Sequence, residues 1–268
     1  SDDGESSEGA RMPFLLTRDG RPLRRRDDVF GEAYAAAAFA AYGAAAGDDG
    51  AEREARGLFR FVVRNASMPA AVGRGTDRAA RPSKSLGAPM IRIATAQIVR
   101  DTIGDPEAQG VIDGAIADAE RGFLKPELEC VMETVGPRGE FLDHCEERRL
   151  SPGRAIEAAW YVLAEAARRD RDPELLRLGT QMLDWSWTRG WDERYGGLYA
   201  YRDARDLAVA YPAHDMKLWW PHTEAIVATL MAWRLTGEER YARWHRHVHD
   251  WAYRHFPDPE HGEWYGYL

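Results

Sequence analysis

Cysteine is scarce: Cys130 and Cys145 are the only two in 268 residues. That is too few for a disulfide framework or a cysteine-based zinc site, and it suits a reducing, cytoplasmic setting. Long apolar runs are missing too, since no stretch approaches the ~18 residues of a membrane span. The acidic opening SDDGESSEG has neither the basic nor the apolar region of a secretory leader, so none is expected. Positive charge is in deficit, 36 Lys+Arg against 44 Asp+Glu for a net charge of -8, which argues against nucleic acid or anionic membrane as partner. No G-x-x-x-x-G-K phosphate loop occurs. What the chain does hold is aromatic surface, ten Trp and eleven Tyr within a 44% hydrophobic composition. Such side chains fill cores, and they also wall concave sites for small polar ligands.

Residues 1–11 are acidic and Ser/Gly-rich and read as a disordered tail, with one domain expected over 12–268. MPFLLTRDGRPL carries two apolar runs about Asp19-Gly20, a tight-hairpin pattern. The Ala-rich run VFGEAYAAAAFAAYGAAAG and then AEREARGLFRFVVRNA predict two helices separated by a Gly-Asp turn. The same grammar recurs on either side of Gly104-Asp105-Pro106, Asp172-Pro173 and Thr236-Gly237-Glu238, giving four helix pairs. Hairpins are expected about Gly136-Pro137, in WDERYGGLYAYRD and in PDPEHGEWYGYL. Asp192–Tyr201 overlies Asp258–Tyr267 at an offset of 66 residues, sharing Asp, Gly and two Tyr. Fixed-period helix pairs build a stacked array in which each unit buries its apolar face on its neighbours. Such an array is an open solenoid or a closed ring. Inserts on one side of every pair favour the ring, with the hairpins forming one rim.

Two clusters can carry chemistry. The first is Lys217-Leu218-Trp219-Trp220-Pro221-His222-Thr223-Glu224, in which Pro221 suits the first turn of a helix, placing Trp220 just before it and His222 and Glu224 at its opening. Aromatic faces, a carboxylate and an imidazole at a helix mouth suit a sugar site. The plainer reading makes the tryptophans core and His222 a satisfied partial cap. The second is Ser151-Pro152-Gly153-Arg154-Ala155-Ile156-Glu157-Ala158-Ala159-Trp160, whose Arg154 and Glu157 share a helix face and serve either a cavity or a solvated ion pair. His245, His247 and His249 sit at i, i+2, i+4 and do not face one way on a helix, so surface histidines rather than a metal cluster are expected. A paired-carboxylate glycosidase stays open as an alternative.

MKLWWPHTEAI, DPEHGEWYGYL, TRDGRPL and SPGRAIEAAW together resemble the N-acylglucosamine 2-epimerase family, which includes renin-binding protein, from about Met12 to Leu268. The resemblance implies an all-α (α/α)6 barrel with short β-hairpins on one rim. Since four pairs of about 66 residues fall short of the roughly 400 that six pairs require, a partial ring is expected. It also implies epimerisation at C2 of a sugar such as N-acetylglucosamine, or aldose–ketose isomerisation, without redox cofactor or catalytic metal and on a possible homodimer. In the family a histidine stands in Pro-Gly-His-x-Ile-Glu, which here reads Pro152-Gly153-Arg154-Ala155-Ile156-Glu157, so Arg154 replaces it. A second family histidine, in His-Val-Pro-Arg, has no counterpart up to Leu268. By position the resemblance implies a catalytic set of His222, Glu157, Arg154 and Glu224, and a substrate-binding set of Trp220, Trp219, Arg148, Lys217 and Trp160. A non-catalytic carbohydrate- or protein-binding module on the same scaffold is the alternative.

Overall fold

The computed structural model describes residues 12–25, 28–65 and 82–268; the tail assigned to 1–11 lies outside them. Strands β1 (Pro13–Leu16) and β2 (Pro22–Arg25) pair antiparallel about Asp19-Gly20, the expected hairpin. The helix pairs follow. They are α1 (Phe30–Ala46) with α2 (Asp49–Asn65), α3 (Gly87–Ile103) with α4 (Ala108–Phe123), α5 (Pro152–Arg168) with α6 (Pro173–Gly190), and α7 (Trp219–Thr236) with α8 (Glu239–His255). Each break falls where the backbone chemistry puts it. Gly47, Gly104 and Gly237 close α1, α3 and α7 in the left-handed conformation that costs glycine least. Asp172 caps α6 by accepting the N–H groups of Glu174 and Leu175. Helix α7 starts at Trp219, so Trp220 lies inside its first turn rather than before it.

The odd-numbered helices pack side by side, α1 on α3, α3 on α5 and α5 on α7, and each even-numbered helix packs against its odd partner. The result is an arc of inner helices backed by outer ones. Its core includes Phe59, Ile93, Ile112, Ile156, Leu163, Met182, Leu183 and Tyr241, all fully buried. Burying each such side chain is worth about 1.5–3 kcal/mol. Helix α5 is held closest. A Cβ on Gly153 would stand 2.6 Å from Pro221 of α7, and one on Gly190 of α6 would stand 2.5 Å from Pro152. The Pro152-Gly153 pair is therefore a packing device that lets three helix ends converge.

Short strands and turns gather at the N-terminal ends of the inner helices. Strand β3 (Lys84–Ser85) precedes α3, and β7 (Arg149–Leu150) precedes α5. The expected hairpin about Gly136-Pro137 is corrected. That segment makes a turn closed by Gly136 N–H to the Glu140 carbonyl, while its strands pair elsewhere, β6 (Thr134–Val135) on β3 and β5 (Cys130–Val131) on β4 (Leu124–Lys125). Two-residue strands expose too little alternation to declare their partners. Strand β8 (Arg202–Asp203) pairs with β7.

The 66-residue repeat is reproduced bond for bond. Asp192 Oδ1 accepts from the N–H of Arg194 and Tyr195, and Asp258 Oδ1 from the N–H of Glu260 and His261. The bridge Trp191–Leu198 matches Pro257–Trp264. Among the described residues no helix is long and apolar enough to cross a membrane.

Candidate active site

A cavity of about 570 Å³ opens among the N-terminal ends of the four inner helices. Phe30, Glu32 and Tyr34 line it from α1, Met90 from α3, Arg154 and Glu157 from α5, and Trp220 and Glu224 from α7, with Met12–Phe14 of the first hairpin at its edge. Four of the nine residues expected at the site are thus brought together: Arg154, Glu157, Trp220 and Glu224. Pro152-Gly153 and Pro221 explain why, because they let the first turns of α5 and α7 touch, so residues one turn further on face the same space.

The two carboxylates are held by neighbouring side chains of α5. Trp160 Nε1 donates to Glu224 Oε2 at 2.6 Å, and the Tyr161 hydroxyl donates to Glu157 Oε1 at 2.9 Å. Burial pushes the Glu157 carboxyl up, and the charge of Glu224 adds to that; the Tyr161 bond and Arg154 only partly offset them. Burial likewise raises Glu224, against the Trp160 bond. Arg154 lies 3.6 Å from Glu133 Oε1, and that carboxylate strengthens its hold on its proton. Arg154 is therefore a fixed positive charge at the cavity wall and a poor proton acceptor.

The other five expected residues take different places. His222 is fully buried. Its Nδ1 donates to the Leu218 carbonyl at 2.7 Å, its Nε2 accepts the Leu198 N–H at 2.9 Å, and its ring stacks on Trp251. Burial depresses its pKa to about 4. Both nitrogens are engaged and the ring stays neutral at physiological pH, so the expectation of a proton-transfer histidine is corrected: His222 locks the 198 turn onto α7. Trp160 does not line the cavity but orients Glu224. Trp219 is exposed and off the cavity. Lys217 is buried, its ammonium 2.8 Å from Asp192 Oδ2 and over the Tyr199 ring. Arg148 bridges Asp203 and Asp143. Both cations hold loops of the rim, with partners 25 and 55 residues away that spacing in the sequence does not reveal.

Sequence reasoning missed Tyr34, Met90, Tyr161 and Glu133. Tyr161 was detectable, since it stands one helical turn after Glu157 on the same face. Glu133 and Met90 come from segments with no motif. Of the clustered histidines of α8, His245 turns to the Ile226 carbonyl and lies beside His249, which stacks on Tyr253, while His247 faces away against Trp191. Among the described residues no group of three or more His, Cys, Asp or Glu is placed to hold a metal ion.

Helical hairpins in an inner and an outer layer, with a carboxylate- and aromatic-lined cavity at the inner N-termini, define a barrel-type scaffold. The chain belongs to the N-acylglucosamine 2-epimerase (GlcNAc 2-epimerase) family, whose pattern it matches over residues 10–268. It is 32% identical over 263 residues to the N-acylglucosamine 2-epimerase of Bos taurus, an alignment covering 96% of this chain and 62% of that one. The chain thus spans a little under two thirds of the length of such relatives. Its fold superposes on a D-mannose isomerase with a TM-score of 0.77 at 16% identity, covering 99% of this chain and 70% of the other. For the cellobiose 2-epimerase of Bacillus thermoamylovorans the TM-score is 0.79 at 14% identity, with coverage of 96% and 68%. These likenesses show the fold, the α/α barrel arrangement that the family resemblance implied.

Proposed function

We propose that this chain carries the sugar pocket of a 2-epimerase or isomerase that interconverts N-acetylglucosamine and N-acetylmannosamine, or a related aldose and ketose. The observation that carries the reading is the convergence of Arg154, Glu157, Trp220 and Glu224 on one open cavity, in a chain of this family. On the open-chain sugar, a base takes the proton from C2 and the C2–H electron pair becomes the C1–C2 double bond of an enediolate, leaving negative charge on the former carbonyl oxygen. Return of a proton to the opposite face of C2 gives the epimer; a proton delivered to C1, with the O2 hydroxyl proton passing to O1 as C2–O2 becomes the carbonyl, gives the ketose. Arg154 supplies fixed positive charge for the enediolate oxygen. The Trp220 ring offers a flat wall to the sugar's C–H face. Glu157 and Glu224, both raised from their ordinary value by burial, supply the acid and base, a role worth roughly 10²–10⁴-fold for each group.

Incubating the protein with N-acetylglucosamine, glucose or mannose in heavy water tests this. Deuterium at C2 is the expected result, and its absence with all three sugars sinks catalysis by this chain. A second reading, a carbohydrate- or protein-binding module, is favoured by Arg154 standing where the family motif has histidine. Sugar binding by calorimetry without exchange would select it. The proposal extends to a cytoplasmic location, in keeping with Cys130 and Cys145 both being free thiols, and to a homodimer, which light scattering would reveal or exclude.

A further inference from the structure

Two adjacent residues of α5 divide the cavity's carboxylates between them. Trp160 and Tyr161 stand with ring centroids 4.2 Å apart. From this one point the indole N–H reaches across to Glu224 of α7 at 2.6 Å, and the phenol reaches back along α5 to Glu157 at 2.9 Å. Neither ring lines the cavity, while both carboxylates do. We propose that Trp160 and Tyr161 are positioning residues for proton transfer, each aiming one carboxylate and stabilising its charged form, so that Glu224 and Glu157 act as two separate proton carriers rather than as a pair sharing one proton. This deepens the reading above and rests on it for its kinetic consequence.

The physical reason is repulsion. Two carboxylates facing one partly desolvated space raise each other's affinity for a proton, and an unaided pair titrates as a coupled unit. A donor dedicated to each one stabilises its charged form and fixes which oxygen is left to face substrate. A reaction that removes a proton from one side of C2 and returns one to the other needs two carriers with independent states. Around them stand Asp28 just before α1, Glu32 and Tyr34 from its start, Glu133 from the loop between β5 and β6, and Arg154 from α5. Each of these bears on the cavity's charge, whereas the donors of Trp160 and Tyr161 each go to one carboxylate.

The test titrates the glutamate side-chain carboxyl carbons by NMR, with the signals of Glu157 and Glu224 assigned by Glu157→Gln and Glu224→Gln. Tyr161→Phe, which removes one oxygen and keeps the ring, should raise the Glu157 midpoint by about one pH unit and move Glu224 much less. Trp160→Phe should do the converse. The pH profile of C2 exchange should shift with the affected carboxylate. Midpoints unchanged in both variants, or moving together in both, would overturn the proposal. Selective shifts without exchange of any sugar would uphold the positioning and remove the epimerase reading instead.

Discussion

Glu165 and Glu157 lie two turns apart on α5, and their surroundings could hardly differ more. Glu165 is fully buried yet receives both oxygens' worth of donors, from Arg100 at 2.8 and 2.9 Å, Arg169 at 2.7 Å, and Gln97 and Gln109 at 3.3 Å. Burial works to raise its pKa, and those four side chains overcome it, so the carboxyl ends below its ordinary value. Glu157 has one hydroxyl donor, a like charge nearby, and a pKa above its ordinary value. The lesson is that burial alone does not mark a functional carboxylate. A saturated one fastens helices together, here α3, α4 and α5, whereas an under-donated one facing a cavity is free to exchange a proton. His222 belongs with Glu165, for both of its nitrogens are spoken for.

Substitution should separate the two kinds of site. Glu157→Gln and Glu224→Gln should each lower C2 exchange by about 10²–10⁴-fold while leaving urea unfolding little changed. Glu165→Ala should cost about 3 kcal/mol of stability, the lower end for a broken buried pair because Arg100 and Arg169 keep some contact with water. The His222 ring gives a pH signature. Its folded pKa of about 4 lies below the ordinary 6.5, so between these values the unfolded chain binds a proton that the folded chain does not. Stability should therefore be fully supported above pH 6.5 and fall by up to about 3 kcal/mol as pH drops towards 4. In His222→Phe that part of the slope should vanish, as unfolding curves across pH would reveal. Smallest of all, Arg177→Ala removes an exposed ion pair with Glu120 and should cost less than about 1 kcal/mol.

Much of the architecture was legible because it is written locally. Glycine stops at 47, 104 and 237, the Asp172 cap and the two Asp turns at 192 and 258 each depend on residues within a few positions of one another. The site was half legible for the same reason: Pro152-Gly153 and Pro221 mark the helix starts that bring Arg154, Glu157, Trp220 and Glu224 together. What the sequence hid is set by tertiary pairing. Lys217 looks like a site cation until Asp192 lies beneath it, and Arg148 until Asp203 does. His222 looks like a base until the turn at Gly196 and Gly197, with φ of +72° and +78°, presses its backbone against Trp251 and hands the Leu198 N–H to the imidazole. Strands β3 and β6 meet across 48 residues with two residues each, too few to announce the pairing.

The most direct measurement compares Glu157→Gln with Glu165→Gln in one preparation, reading C2 deuterium incorporation and the urea midpoint for each. A crossing is expected: exchange lost with the fold intact at position 157, and the fold weakened with residual exchange per folded molecule unchanged at position 165. Full exchange in Glu157→Gln, or an unshifted midpoint in Glu165→Gln, would contradict it.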